Sequence, residues 1–229
     1  MKDGQGTATG GRRTPGRSSA MMGGSPAPAT SARTYMQSTT GRASGAVAAR
    51  PAVLRVLIRP ARPDDLEEAT LVERQVWGRL GASLNELQRR LFALPEAFLL
   101  AELQRPAHSP RIVGLTNGLL WTRDFPRSYL DYERILPSAS HNPRGDVLYL
   151  VSLGVEPGLR GRGIGLRLVQ EAIEVGRRRH LKQVRLISNG RSRPLHERAG
   201  FQVVRPLARL FRQHRDLMPQ PVLMELPLV

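Results

Sequence analysis

The sequence contains no cysteine among its 229 residues. This absence excludes disulfide bonds, cysteine-ligated zinc, iron–sulfur clusters and any mechanism that uses a cysteine acyl-enzyme. It is compatible with a reducing compartment, and we expect a cytoplasmic protein. The apolar runs are much shorter than a membrane span, so we predict no membrane partner. We also predict no metal site, because no metal-ligand spacing links the histidines His108, His141, His180 and His214.

Aromatic and acidic residues are both scarce. Aromatic side chains make up 5% of the chain, and 19 acidic residues face 35 basic ones, which gives a net charge of +16. The electrostatic field of such a net positive charge raises the local concentration of anionic ligands, including nucleic acid and phosphate-rich coenzymes. An arginine bias can equally reflect genome composition, and no nucleic-acid reading motif accompanies the charge. We therefore treat a nucleic-acid partner as a less favoured alternative.

Residues 1–50 have almost no side chains that could form a core. Tyr35 is their only aromatic residue, and Val47 is their only aliphatic residue larger than alanine. This composition cannot bury enough apolar surface to offset the entropy of ordering the chain. We predict a disordered basic tail over 1–50, or a translation start at a later methionine, and one compact domain over 51–229.

The rest of the chain alternates between the periodicities of strands and helices. Short apolar runs bounded by proline and glycine predict strands, whereas apolar residues three and four apart predict helices. Ser83, with Glu86 three residues later, is a predicted N-cap of the second helix. The predicted strands cover residues 53–58, 97–103, 111–119, 146–155, 183–188 and 221–227. The predicted helices begin at Pro63, Leu84, Ile164 and residue 192, and the stripe of the first is Leu66, Ala69, Val72 and Val76. This order predicts a mixed α/β domain.

A glycine-rich loop follows the most apolar strand. The strand over 146–155 is apolar nearly throughout, as expected of a central strand that is covered on both faces. The sequence Arg-Gly-Arg-Gly-Ile-Gly over 160–165, called here the glycine loop, connects it to an amphipathic helix. Glycine allows a tight turn and a close approach of ligands, and the first N–H groups of a helix have no internal partner. The loop is therefore a predicted anion site.

Two well-known phosphate-binding motifs do not fit this loop. The dinucleotide fingerprint needs a third glycine at position 166 or 168, and both positions are leucine. The nucleoside-triphosphate loop can start at Gly158, but Ile164 and Gly165 then occupy its lysine and serine/threonine positions. These two classes of phosphate-binding site are excluded.

Three segments in order resemble the GNAT family of N-acetyltransferases. Val155-x-Pro157-x-x-Arg160-Gly-x-Gly-Ile-Gly is similar to its strand–loop–helix signature. Asn189-x-x-Ser192-x-x-Leu195-His196-Glu-Arg-Ala-Gly-Phe is similar to its second signature, and residues 58–65 are similar to its usual opening. The resemblance spans residues 53 to 205. Shorter segments at 141–149, 190–194 and 221–223 are similar to a less-characterised branch of the family.

The resemblance implies a fold and a coenzyme. The fold would be a mixed sheet flanked by helices, with a central strand–glycine loop–helix unit that binds acyl-CoA. The acceptor amine would attack the thioester of acetyl-CoA directly, without a covalent enzyme intermediate. The partners would be acyl-CoA and an unidentified amine. The resemblance does not decide whether the protein forms a homodimer. The implied coenzyme-binding residues are Leu153, Gly154, Val155, Arg160, Gly161, Arg162, Gly163, Ile164, Gly165 and Asn189.

The resemblance also indicates candidate catalytic residues. His196 stands where the family commonly has a tyrosine that protonates the departing thiolate, so it is either a substitute acid or a packing residue. Tyr149 and Ser152 lie on the strand leading into the site, where they either orient the acceptor or pack. No general base stands out among the carboxylates, for which the candidates are Glu102, Asp131, Glu133 and Asp146. We expect Glu156 to face solvent.

Residues 121–145 are rich in turn-forming residues, which predicts an irregular segment. A long irregular segment in a compact domain is often functional. This one is either part of the acceptor pocket or a surface insertion.

The sequence thus predicts an acetyl-CoA-dependent N-acetyltransferase. Two alternatives remain open. The first is a catalytically silent acyl-CoA-binding module, since a histidine replaces the tyrosine and no base is evident. The second is a nucleic-acid-associated protein that uses its basic tail.

Overall fold

The computed structural model describes residues 55–122, 137–207, 209 and 211–228. The predicted tail over 1–50 and the candidate bases Asp131 and Glu133 lie outside these residues, as does most of the irregular segment.

Within the described residues the strands form one seven-stranded sheet in the order β1-β2-β3-β4-β5-β7-β6. Among the strands that the structure describes, only β4 and β5 run parallel, and every other neighbouring pair is antiparallel. The strands are β1 (Arg55–Pro60), β2 (Leu99–Arg105), β3 (His108–Trp121), β4 (Val147–Val155), β5 (Gln183–Ser188), β6 (Gln202–Pro206) and β7 (Val222–Pro227). The predicted mixed α/β sheet is confirmed.

The described residues also form four α-helices: α1 (Leu66–Trp77), α2 (Leu84–Ala93), α3 (Ile164–Arg178) and α4 (Arg193–Arg198). The predicted N-cap of α2 is confirmed, because Ser83 Oγ accepts a hydrogen bond from the Glu86 N–H at 3.3 Å. A single 3₁₀ turn at Pro63–Asp65 precedes α1.

Helices pack on both faces of the sheet. Leu168 and Ala172 of α3 are fully buried, and they share one apolar cluster with Leu148 and Leu150 of β4. The opposite face carries a second cluster, in which α1 and α2 pack on β2 and β3. Each leucine buried in this way stabilises the fold by about 1.5–3 kcal/mol. The central strand β4 is therefore covered on both faces, as predicted.

Strand β6 was missed by the sequence analysis. All five of its residues are exposed, and among the described strands it pairs with β7 alone, at the edge of the sheet. An edge strand with two exposed faces has no reason to alternate apolar and polar residues, and its apolar residues, Val203 and Val204, are adjacent. The strand therefore exists because of its pairing with β7 and carries no periodic signal.

The parallel pair β4–β5 separates halfway along its length. The ladder joins Val147–Leu150 to Gln183–Leu186 and stops there, although β4 continues for five more residues. On its other side β4 carries a bulge, because Ser152 lies opposite Asn117 while Leu150 lies opposite Gly118. The extra residue bends the strand. The two strands thus open a split that leads to the glycine loop.

Candidate active site

The glycine loop lies at the C-terminal end of β4 and begins α3. Gly161 and Gly163 have φ angles of +75° and +79°, which side chains other than glycine rarely adopt. A Cβ atom added to either would meet no heavy atom within 4 Å, so both face open space. The first hydrogen bond of α3 joins the Arg167 N–H to the Gly163 carbonyl oxygen at 3.1 Å. The preceding N–H groups are thus directed out of the helix end, as in an anion site.

The rest of the loop anchors this turn to the domain. Ile164 is 4% exposed and packs in the core. A Cβ at Gly165 would lie 2.9 Å from the Leu195 side chain, so glycine there allows α4 to pack closely against α3. The Arg160 side chain turns back and donates from Nε to the Val155 carbonyl at 3.0 Å, whereas Arg162 is exposed at the rim.

The predicted coenzyme-binding part of β4 has two different faces. Leu153 and Val155 are partly buried and pack against the cluster on the α3 side. Gly154 faces α1, where an added Cβ would lie 3.2 Å from a methyl group of Val76. Glycine at this position therefore brings α1 close to the strand that borders the split.

Asn189 follows β5 and shapes the turn into α4. Its side-chain oxygen accepts hydrogen bonds from the Arg191 and Ser192 N–H groups, both at 3.0 Å. The structure thus places this oxygen inside its own turn, in the manner of an Asx turn. The remaining polar atom, Nδ2, lies 4.0 Å from the sulfur of Met218.

His196 is buried, with 4% of its surface exposed. Its Nδ1 lies 2.8 Å from the Ser188 hydroxyl, and its ring meets Phe201 edge-on at a centroid distance of 6.0 Å. Burial lowers the pKa of His196 to about 4. At pH 7 the ring is therefore almost entirely neutral. These contacts favour the packing interpretation, in which His196 holds α4 against the end of β5.

Tyr149 and Ser152 have different surroundings. Tyr149 is 2% exposed and stacks on Trp121 with the ring centroids 3.7 Å apart. Ser152 Oγ lies 2.7 Å from Glu73 Oε2 and 3.0 Å from Trp77 Nε1. The structure therefore places Tyr149 in a packing cluster and Ser152 in a buried polar network.

Of the four carboxylates considered as bases, the two that the structure describes are engaged in ion pairs. Glu102 accepts from Arg59 Nε at 2.7 Å, and Asp146 pairs with Lys182 at 2.8 Å. Glu156 was expected to face solvent, but its side chain is only 15% exposed. It binds Arg111 through both oxygens, which ties the entrance of the glycine loop to β3.

Glu73 is the functional candidate that the sequence analysis missed. It is 2% exposed, and burial raises the pKa of its carboxyl group. A signal was available, because Glu73 lies seven residues after Leu66 and four after Ala69, within the apolar stripe that predicts α1. A charged residue at such a position needs a buried partner. Here the partner is Ser152.

The described part of the irregular segment attaches to the end of β3. The Asn142 N–H donates to the Leu120 carbonyl at 2.8 Å, and His141 Nδ1 accepts from the Leu120 N–H at 3.3 Å. The remainder lies outside the described residues, so an acceptor-binding role for this segment stays a prediction.

Neither metal-binding clusters nor membrane spans occur in the part of the chain that the structure describes. No three histidine, aspartate or glutamate side chains there are grouped so that they could hold a metal ion. Its helices are also too short or too polar to cross a bilayer.

The fold and the site together define a class: an α/β domain in which a split parallel strand pair opens onto a glycine loop at the N-terminus of a helix. Residues 71–201 match the Acetyltransferase (GNAT) family over more than half of the chain. The chain belongs to the GNAT family. No curated protein sequence matches the chain at a significant level.

Solved structures with the same fold span most of the domain. The loading GNATL domain of CurA from Lyngbya majuscula is 17% identical, with a TM-score of 0.61 over 76% of this chain and 98% of that one. The GphF GNAT-like decarboxylase in complex with isobutyryl-CoA is 22% identical, with a TM-score of 0.62 over 76% and 100%. A phosphinothricin acetyltransferase from Sinorhizobium meliloti in complex with AcCoA is 17% identical, with a TM-score of 0.53 over 75% and 88%. These likenesses show the fold.

Proposed function

We propose that the protein is an acyl-CoA-dependent N-acyltransferase that moves an acetyl group from acetyl-CoA to an amine. The observation that carries this proposal is the glycine loop. Two left-handed glycines face open space at the N-terminus of α3, and the loop adjoins the split between β4 and β5. Family membership supports an acyltransferase. The acetyl group and the amine acceptor are our own inference.

The residues of the loop fit a diphosphate. The N–H groups that begin α3 supply hydrogen-bond donors and the positive end of the helix dipole. Gly161 and Gly163 leave room for phosphate oxygens to approach the backbone, and Arg162 adds positive charge at the rim. Beside the split, the backbone of Leu153–Val155 would bind the amide groups of the pantetheine arm. The bound coenzyme would supply the activated thioester.

The chain's own contribution to the reaction would be positioning and proton removal. Holding the amine beside the thioester turns a bimolecular step into one within a complex. An amine is protonated at neutral pH and must lose a proton before it can attack. Ser152, on the bulged part of β4, is the proposed contact for the amine because its hydroxyl belongs to a network that contains a carboxylate.

The first test is coenzyme binding and turnover. We expect acetyl-CoA to bind the protein in calorimetry, and free thiol to be released when an accepted primary amine is added. The amines to test are small amines, polyamines, amino acids and peptides with free N-termini. If neither binding nor thiol release occurs with any of them, the proposed function is wrong.

Substitution of the loop glycines makes this test specific. Gly163→Ala places a methyl group in the open cradle and strains a left-handed residue, so we expect acetyl-CoA affinity to fall at least tenfold. Gly158→Ala is the matched control, because it adds the same methyl group in open space nearby at a position without a positive φ. Equal affinities for the two variants would show that the coenzyme does not bind at the loop.

A catalytically silent acyl-CoA-binding module is the second candidate. His196 favours it, since this residue is buried, uncharged at neutral pH and bonded to Ser188. The two candidates differ in one result: a silent module would be stabilised by acetyl-CoA against heat but would release no thiol with any amine.

A further inference from the structure

A buried carboxylate reaches the middle of β4 from the helix layer. Glu73 belongs to α1 and is 2% exposed. Its Oε2 atom lies 2.7 Å from Ser152 Oγ, and its Oε1 atom accepts from the Ala82 N–H at 3.4 Å. A carboxylate in such a place costs free energy unless its oxygens are hydrogen-bonded. Because its burial is costly, Glu73 is a candidate for a functional role.

The neighbours of Ser152 determine the direction of its hydroxyl group. Trp77 Nε1 can only donate, so Ser152 Oγ accepts from it at 3.0 Å. The hydroxyl proton of Ser152 is then directed to Glu73. A serine oxygen has two lone pairs, and the tryptophan uses one of them. One lone pair of Ser152, a residue that is 4% exposed, is thus left for a further hydrogen bond while its own proton stays on the path to Glu73.

Ser152 lies where the split begins. The last pair of the β4–β5 ladder is Leu150 with Leu186, and the bulge in β4 falls between Leu150 and Ser152. The Ser152 carbonyl is held by the Thr116 hydroxyl at 2.8 Å, which fixes the backbone at this point. The pair Glu73–Ser152 thus lies beside the stretch of β4 that we assign to the thioester arm.

The surroundings of Glu73 suit a group that accepts a proton. The charged group that acts on it is Arg90 of α2, which is itself paired with Glu86 at an Arg90–Glu86 distance of 3.2 Å. Ser152 faces it from β4, and the Ala82 N–H from the loop before α2. Burial raises the pKa of Glu73 above that of an ordinary glutamate, while Arg90 and the two hydrogen bonds oppose this rise. A carboxylate that binds protons more tightly is a better acceptor.

We propose that Glu73 accepts the proton of the acceptor amine through Ser152. The ammonium N–H donates to Ser152 Oγ; as that N–H bond breaks and an O–H bond forms on Ser152, the original serine proton moves to Glu73 Oε2. The amine keeps its electron pair and is free to attack, and the carboxylate becomes a neutral acid. Ser152 is the catalytic contact and Glu73 acts through it. This inference rests on the proposed N-acyltransferase function.

The test compares pH profiles in the full-length protein. With acetyl-CoA and a primary amine that the wild type accepts, kcat/KM for the amine is measured from pH 6 to 10. Glu73→Gln should lower it about 100-fold at pH 7, within the range for lost general-base catalysis. The deficit should shrink toward the pKa of the amine, because the free amine needs no base. Glu68→Gln is the matched control: Glu68 is also a carboxylate of α1, but it binds the Ile112 N–H of β3 at 3.0 Å. It should keep the shape of the wild-type profile.

A loss of the same size at every pH, or no loss, would overturn the inference while leaving the proposed function intact. The proposed function itself fails differently, by the absence of coenzyme binding and thiol release in the wild type.

A second measurement needs no acceptor. The carboxyl carbon of Glu73 is titrated by nuclear magnetic resonance, with Glu73→Gln to assign its signal. It should titrate above the ordinary value of about 4.3. Ser152→Ala should raise that value further, because it removes a hydrogen bond that favours the ionised form. Titration in the ordinary range, unaffected by Ser152→Ala, would overturn the inference even if no accepted amine is found.

Discussion

His196 illustrates how burial decides what a single side chain can do. At the sequence level its position matches that of a family tyrosine, which indicates an acid. In the structure the ring lies between Ser188 and Phe201, and burial lowers its pKa to about 4. A neutral imidazole is a weak proton donor at pH 7. The same residue type would act differently on an exposed face of α4.

The lowered pKa of His196 predicts a pH-dependent stability. Its pKa is about 4 in the folded protein and about 6.5 in the unfolded chain, so protonation favours unfolding. The stability that the folded protein gains from a neutral His196 is complete above pH 6.5 and is lost as the pH falls toward 4. Between pH 7 and pH 4.5 the wild type should lose about 2 kcal/mol more unfolding free energy than His196→Phe, which cannot titrate. Urea denaturation at both pH values measures this difference, and equal losses would contradict it.

Among the helices and strands, α3 supports the glycine loop through the face that it buries in the core. Its buried stripe fixes the end of the helix where the loop N–H groups emerge. Leu168→Ala should cost about 2–5 kcal/mol of unfolding free energy, because it leaves a cavity at a fully buried position. Gln170→Ala, an exposed change on the same helix, should stay within about 0.5 kcal/mol. Chemical denaturation compares them, and similar costs would show that α3 does not pack as described.

Elements with a periodic buried face were predictable from the sequence. The buried face of α3 and the buried strand β4 each place successive residues in the same apolar environment. Their sequences are therefore apolar at the buried positions. The edge strand β6 has no such environment, since both of its faces are exposed. The glycine loop was predictable for a different reason: a left-handed turn at a helix start leaves few alternatives to glycine.

Contacts between distant elements were not predictable. Glu73 and Ser152 are 79 residues apart and meet because α1 crosses β4 at the bulge. Nothing in the local sequence around Ser152 indicates which helix lies above it. The ion pair of Glu156 with Arg111 likewise depends on the pairing of β3 with β4. Such partners follow from tertiary packing, which a single sequence does not encode in a local pattern.

For the whole molecule, charge and domain organisation give a further prediction. Residues 1–50 carry six of the sixteen net positive charges. We expect a chain that starts at residue 51 to keep its acetyl-CoA affinity within about twofold, because the loop and both strands of the split lie beyond that point. Calorimetry on the two proteins measures this. Loss of binding in the shorter protein would show that the domain boundary at residue 50 is wrong.

The same pair of proteins tests the nucleic-acid alternative. If the tail binds nucleic acid, the full-length protein should bind duplex DNA with a steep dependence on salt, and the shorter protein should lose that binding. Equal DNA binding by both proteins would instead show that DNA binds to the domain over residues 51–229.

A crystal structure of the full-length protein with acetyl-CoA would show directly whether the glycine loop holds the coenzyme. We expect the diphosphate within hydrogen-bond distance of the backbone N–H groups of residues 161–165, and the pantetheine arm along Leu153–Val155 in the split. A coenzyme bound elsewhere, or a glycine loop closed by the protein's own side chains, would show that the loop is not the coenzyme site.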